Sequence, residues 1–186
     1  MSPIKLTSSL FDQFRAASNR AKNVTPFVGT VLSLDPGETT GYAIFHTDGE
    51  YTELYSAGQI KTWPFQETIK GLEEVFTEAF PVSQYMDEQT AKGRNLVLFE
   101  SYNIYAHKLE RHTHSNVPTL QIIGVIQTFC FQRGLQPINQ TAQIGKGFAK
   151  DEKLRTWGFY LPGLKHARDA TRHGCYFLLF GNKEIS

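Results

Sequence analysis

The chain has little of what marks secreted, membrane or fibrous proteins. Only two cysteines, Cys130 and Cys175, stand among its 186 residues, so a disulfide scaffold is excluded and a zinc site would need histidine partners. Both lie in apolar, helix-like stretches, where the reading is buried free thiols. No apolar run approaches the roughly 18–20 residues that cross a bilayer. The longest candidates, around Leu120–Phe131 and Cys175–Phe180, are short or interrupted by Gln. The opening Met1-Ser-Pro-Ile-Lys-Leu lacks the charged-then-apolar layout of a signal peptide, so an intracellular, cytoplasmic protein is expected. Internal repeats and low-complexity tracts are absent. An excess of one charge is absent too: 19 Lys+Arg against 18 Asp+Glu leave a net +1, which announces no nucleic-acid partner.

What is present is the composition of one globular domain, 40% hydrophobic and 13% aromatic, with enough apolar material for a core. The charges are segregated along the chain. Between Phe65 and Thr90, Glu67, Glu73, Glu74, Glu78, Asp87 and Glu88 face Lys70 alone. Between Gly145 and Arg172, Lys146, Lys150, Lys153, Arg155, Lys165, Arg168 and Arg172 outnumber Asp151, Glu152 and Asp169. The C-terminal third is therefore a candidate basic surface for a polyanion, although a solvated helix face would read the same way.

Residues 1–27 read as a basic helical extension, with Leu6, Leu10, Phe11 and Phe14 at helical spacing, and residues 28–186 as the domain proper. Phe27–Leu34 is a β-branched, apolar strand that runs into the turn Asp35-Pro36-Gly37. Tyr42–Phe45 is a second strand, Asp48-Gly49 a hairpin turn, and Tyr51–Ile60 a third strand. Leu72, Val75, Phe76, Ala79 and Phe80 then form one helical stripe that Pro81 ends. Asn95–Glu100 is a fourth strand, Thr119–Arg133 a helix apolar on nearly all sides and hence buried, and Leu135–Asn139 a fifth strand. Residues 140–150 read as a glycine-containing loop, Asp151–Trp157 as a short helix and Lys165–Phe180 as the last helix. The order β-β-β-α-β-α-β-α implies an α/β fold with a mixed sheet and helices packed on it.

Three acids fall in unusual places. Asp35 and Glu100 each end a strand that otherwise reads as core, and Asp169 lies among small apolar residues of the last helix. A carboxylate beside an apolar run is costly to bury unless it is paired or bound to a metal. Taken singly, Asp35 can start a turn, Glu100 can be a solvated strand end and Asp169 can pair with Arg168 or Arg172. Taken together in this order, they point to one shared site, with His166 one helical turn from Asp169. Such a set of oxygen donors suits hard divalent ions, and it fits two-metal phosphodiester hydrolysis. His107, His112 and His114 read as a loop or phosphate contacts rather than a zinc site, and Trp63 and Trp157 as packing residues.

Asp35-Pro36-Gly37 followed by Thr40-Gly41-Tyr42-Ala43-Ile44 resembles the first motif of the RuvC-type Holliday-junction resolvases. Leu96-Val97-Leu98-Phe99-Glu100 resembles their second acidic strand, Gly145-Lys146-Gly147-Phe148-Ala149 their glycine loop, and His166-Ala167-Arg168-Asp169-Ala170 their C-terminal helix motif. The set spans about residues 28–180 in the family's order, and the diverged sequence suggests a phage or mobile-element member acting in the host cytoplasm. The resemblance implies an RNase H-like fold with a five-stranded mixed sheet and helices on both faces. It implies a homodimeric endonuclease that cuts four-way DNA junctions symmetrically with two Mg²⁺ or Mn²⁺ ions per site and no small-molecule cofactor. Asp35, Glu100, His166 and Asp169 map onto its catalytic, metal-holding positions. Lys146, Lys150, Lys153, Lys165, Arg168 and Arg172 are the expected DNA contacts. The family's basic residue before the glycine loop falls near Gln140 here, and its later lysine falls on Asp151, between Lys150 and Lys153. Its aromatic wedge position is Asn103, so Tyr102 or Tyr105 beside it would stack on the opened junction.

Other functions remain open on the residues alone: a nuclease of the same fold that cuts flaps, forks or plain duplex, an actin- or sugar-kinase-like ATPase, or a non-catalytic DNA-binding protein. A thermal shift with Mg-ATP would mark the ATPase.

Overall fold

The computed structural model of the chain describes residues 4–5, 27–49, 51–61, 64–81, 94–102 and 118–181. Its strands are β1 (Ile4–Lys5), β2 (Gly29–Asp35), β3 (Thr39–Thr47), β4 (Thr52–Lys61), β5 (Arg94–Glu100) and β6 (Pro137–Gln140). Its helices are α1 (Phe65–Ala79), α2 (Pro118–Gln132), α3 (Ala142–Phe148), α4 (Asp151–Thr156) and α5 (Lys165–Phe180). The strands form one sheet in the order β1-β4-β3-β2-β5-β6. β2, β3 and β4 are an antiparallel meander, while β5 runs parallel to β2 and β6 parallel to β5. Five of these strands are those expected. The sixth, β1, is a two-residue addition in which Ile4 and Lys5 pair with Leu54 and Glu53 of β4. The rest of the expected N-terminal helix lies outside the described residues, as do Trp63, Tyr105, His107, His112 and His114.

Strand alternation splits the core into two layers. Val31 of β2 and Leu96 and Leu98 of β5 pack with Ala167, Ala170, Cys175 and Phe177 of α5. Leu32, Leu34, Val97 and Phe99 point the other way, onto Leu72, Val75 and Phe76 of α1 and Ile122, Ile126 and Cys130 of α2. Period two then puts Asp35 on the face of Val31, and Glu100 on the face of Leu96 and Leu98. Both are thereby aimed at α5.

α5 lies close against the sheet because small residues let it. Ser33 Oγ donates to Ala170 O at 2.8 Å, a buried sheet-to-helix bond. A Cβ on Gly41 would stand 2.0 Å from His166 O, and one on Gly174 would stand 2.3 Å from the Phe45 ring. Any side chain at Gly41 would thus push away the first turn of α5, the turn that carries His166.

Two local readings are corrected. Residues 142–148 are a helix, not a loop: Gly145 and Gly147 are poor helix formers, but packing of Gly145 against α5 overrides propensity. α2 is not buried all round. It buries Ile122, Ile126 and Cys130 on one stripe, while Leu120 is 44% and Phe131 87% exposed. The cysteines are free and buried as expected, and burial pushes the Cys130 thiol up to about 12. Trp157 is a buried packing residue. Among the described residues no helix is long and apolar enough to cross a membrane.

Candidate active site

The three acids meet at one end of the sheet. Parallel register pairs Leu34 with Phe99, which carries the next residue, Asp35, alongside Glu100. On the far side of β5, Glu100 pairs with Gln140 of β6. All three strands end there with their C-termini, where open α/β sheets bind their ligands. α5 crosses this edge and contributes His166, Asp169 and His173, three and then four residues apart and so on one helix face.

Each acid has its own cationic or imidazole partner. His166 Nδ1 lies 3.0 Å from Asp35 Oδ2, and the His166 backbone N–H donates to Gln59 Oε1 at 2.9 Å. Lys146 Nζ stands 3.1 Å from Glu100 Oε1, 2.9 Å from Oε2 and 3.7 Å from Asp169 Oδ2. Arg172 pairs with Asp169 one turn away and with Asp151 at the start of α4, and its Nε donates to Ala149 O at 3.0 Å. His173 Nε2 lies 2.9 Å from Glu100 Oε2.

The electrostatics follow from this arrangement. Burial, and then the charge on Glu100, raise the Asp35 carboxyl to about 6, against the pull of His166 and Lys146. Burial also opposes ionisation of Glu100, but hydrogen bonds from His173 and Lys146 outweigh it and hold that carboxyl at about 2. Burial would lower the Lys146 amine, yet its bond to Glu100 and the charges of Asp35, Glu100 and Asp169 raise it. The site is an anionic pocket whose centre is filled by one ammonium.

That ammonium is the measure of whether a metal ion fits. A cation already stands between Glu100 and Asp169, and its N···O distances of 2.9–3.7 Å are wider than the roughly 2.0–2.6 Å bonds of Mg²⁺ or Ca²⁺. Accordingly, no three His, Cys, Asp or Glu groups among the described residues converge into a cage for an ion. The donor set is nevertheless that of a hard divalent ion, three carboxylates and an imidazole. Burial first, and then the charge of Glu100, raise the Asp35 carboxyl even with Lys146 present. By donor type the residues suit such an ion, and Lys146 stands in the place it would take.

Of the residues singled out by sequence, Asp35, Glu100, His166 and Asp169 are brought together. Lys146 stands among them, with its side chain still partly open to solvent. Arg172 and Arg168 also turn inward: Arg172 brackets two acids, and Arg168 Nη1 donates to Leu161 O at 2.9 Å with its guanidinium over the Tyr160 ring. Lys150, Lys153 and Lys165 are exposed, with Lys153 Nζ 3.9 Å from the Phe148 ring centroid. Tyr102 is half-buried, two residues beyond β5. Two residues close to the acids were not singled out as site residues, His173 and Gln140. The signal for His173 was its place four residues after Asp169 on the same helix face.

Solved structures with this arrangement of elements exist. Thermus thermophilus RuvC in complex with a Holliday-junction substrate is matched with a TM-score of 0.58 at 15% identity, over 83% of this chain and 96% of that one. A second structure of Thermus thermophilus RuvC is matched at 0.57 and 17% identity, over the same shares. This chain has the RuvC fold, an α/β fold of the RNase H-like type. A Fowlpox virus resolvase complexed with Holliday-junction DNA is also matched, at a TM-score of 0.48 and 14% identity over 80% of this chain and 97% of that one. No protein-family model and no curated protein matches the sequence.

Proposed function

We propose that this chain is a divalent-metal-dependent endonuclease that resolves four-way DNA junctions. The observation that carries the reading is the gathering of Asp35, Glu100 and Asp169, from β2, β5 and α5, around the single ammonium of Lys146. The RuvC fold supports it, since Thermus thermophilus RuvC is solved with a Holliday junction.

Asp35, Glu100, Asp169 and His166 would hold Mg²⁺ or Mn²⁺, two ions per site. Ions so held would lower the pKa of an attacking water and stabilise the leaving oxygen of the phosphodiester. The chain's own groups do the rest. His166 orients Asp35 through its Nδ1, and is itself fixed by Gln59. Arg172 keeps Asp169 in place by tying it to Asp151 on α4. Lys146, once displaced from between the acids, would offset the charge of a scissile phosphate. Lys150, Lys153 and Lys165 supply exposed positive charge for the flanking phosphates, which position DNA without reading its sequence. Tyr102 or Tyr105 would stack on an opened base.

Symmetric cutting needs two sites and hence a second copy. The exposed side of α2 suits one: Leu120, Gly124, Gln127 and Phe131 share it, and Pro118–Gln132 contains no charged residue.

Incubation with synthetic four-way, flap, fork and linear duplex DNA in Mg²⁺, with the cuts mapped on each strand, tests the reading. Paired, symmetry-related cuts on the four-way junction are expected. Preferential single cuts on flaps or forks would make the protein a branched-DNA nuclease of another kind. No cutting of any substrate would refute the enzyme reading.

A further inference from the structure

His173 is fully buried in the middle of α5, and its ring is fixed from three directions. Nε2 lies 2.9 Å from Glu100 Oε2, and Nδ1 lies 3.0 Å from Gln140 Oε1. Gly145 of α3 lies against the imidazole: a Cβ there would stand 2.9 Å from its Cγ and Nδ1. A buried imidazole has no water to turn to, and here each nitrogen has a side-chain partner: one N–H donates to the Glu100 carboxylate, and the Gln140 amide, turned to present its NH2, donates to the other nitrogen. Neither nitrogen is left to bind an ion.

Gln140 is buried as well, and the β5–β6 register sets it directly beside Glu100. Its backbone carbonyl accepts from Ser101 N–H at 2.7 Å, tying the ends of the two strands together. Gln140, His173 and Glu100 thus form a continuous chain from the sheet, through the helix, back to the sheet. A glutamate side chain on its own can swing through several rotamers. Here Oε2 meets His173 at 2.9 Å, and both oxygens meet Lys146, the group at the centre of the site, Oε2 at 2.9 Å and Oε1 at 3.1 Å.

We propose that His173, oriented by Gln140 and pinned by Gly145, is a positioning residue that anchors the Glu100 carboxylate through Oε2 and so keeps the carboxylate turned to the cation. The inference rests on the reading of the acids as a metal site. Groups that hydrogen-bond a ligating carboxylate from outside set its orientation, and losing one costs about 10–100-fold in metal affinity or activity. The alternative role is a satisfied core histidine, which would support α5 but leave the affinity for ions alone.

Mn²⁺ titration of the full-length chain, followed by the EPR signal of free Mn²⁺, separates the two roles. Thermal midpoints and far-UV circular dichroism are recorded on the same samples. His173→Leu is expected to weaken Mn²⁺ binding by about 10–100-fold. His173→Gln, whose amide can still donate to Glu100, should recover part of that loss, and Gln140→Met should fall between. In a Glu100→Gln background, His173→Leu should cause no further loss, because the two act through one carboxylate. Should His173→Leu fail to fold, the near-isosteric His173→Gln and Gln140→Met decide. Wild-type Mn²⁺ affinity in folded His173 and Gln140 variants would overturn the inference, and so would an undiminished His173→Leu effect in the Glu100→Gln background. A wild-type chain that binds no Mn²⁺ would overturn the metal reading itself, and this inference with it.

Discussion

His166 Nδ1 stands 3.0 Å from Asp35 Oδ2, so the end of β2 and the first turn of α5 are joined at the site by one side-chain contact across 131 residues of sequence. The contact exists because Gly41, opposite Asp35 in the β2–β3 register, lets the α5 backbone come down onto the sheet. It offsets only part of the cost of burying Asp35, and that imbalance has a consequence for stability.

The Asp35 carboxyl is raised from 3.8 to about 6 by folding. The native state therefore binds more protons than the unfolded chain between these values, and stability falls as pH rises through them. Glu100, lowered from 4.5 to about 2, acts in the opposite sense: its contribution is present above 4.5 and lost as pH falls towards 2. Asp35→Asn removes the first effect only. In EDTA it should raise the thermal midpoint at pH 8 by roughly 3–8 °C, the equivalent of about 2 kcal/mol, and change it little at pH 4. Calorimetry at the two pH values checks this, and a gain of the same size at both would contradict it.

On the metal reading, Lys146 and a divalent ion would compete for one place. Unit charges about 4 Å apart repel by about 4 kcal/mol at an effective dielectric of 20. The Lys146 side chain is 39% exposed, and screening reduces this to about 1–2 kcal/mol. Lys146→Met should therefore tighten Mn²⁺ binding about tenfold while slowing junction cleavage. Isothermal titration with Mn²⁺ reads the first effect and single-turnover cleavage the second. Weaker Mn²⁺ binding in the variant would mean that Lys146 supports the ion rather than opposing it.

The exposed face of α2 should hold the second copy. Phe131 is 87% exposed on a helix without charge, and Phe131→Glu puts a charge at that surface. Sedimentation should show a wild-type dimer and a folded Phe131→Glu monomer that cuts junctions on one strand at a time. A wild-type chain that stays monomeric on junctions would contradict the paired-site picture.

Binding strength should reside in the exposed lysines. Lys150→Ala/Lys153→Ala should bind junctions more weakly, with the salt slope reduced by about one unit for each phosphate that the variant no longer neutralises. Duplex binding should weaken in parallel, because phosphates carry no information about branching. Fluorescence anisotropy between low and moderate salt measures both, and an unchanged slope would move the DNA path elsewhere.

Much of the site was legible because strand parity is strict. An acid that follows an apolar strand keeps the face its parity assigns, so Asp35 and Glu100 could be expected to meet if their two strands lay side by side, which the β2–β5 register brings about. Asp169 stood out as a charge among small residues of a helix that must pack closely. The inward turn of Arg168 and Arg172 was not legible, since a run of basic residues looks the same whether it faces water or brackets Asp151 and Asp169. α3 was hidden by two glycines whose helical state depends on packing against α5. His173 and Gln140 are 33 residues apart, and only the β5–β6 register and the α5 crossing bring them to the same carboxylate.

The central claim is that three carboxylates form one metal-dependent hydrolytic site. Single-turnover cleavage of a four-way junction by Asp35→Asn, Glu100→Gln and Asp169→Asn, in Mg²⁺, Mn²⁺, Ca²⁺ and EDTA, tests it most directly. Ca²⁺ takes longer bonds and more ligands than Mg²⁺, which spoils a two-ion geometry. The account predicts cutting by the wild-type chain in Mg²⁺ and Mn²⁺, junction binding with little cutting in Ca²⁺, and none in EDTA. Each variant should lose at least about 100-fold in rate, equivalent to about 2.7 kcal/mol, while binding the junction as before. Cutting by any variant at more than about a tenth of the wild-type rate, or full activity in EDTA, would contradict it.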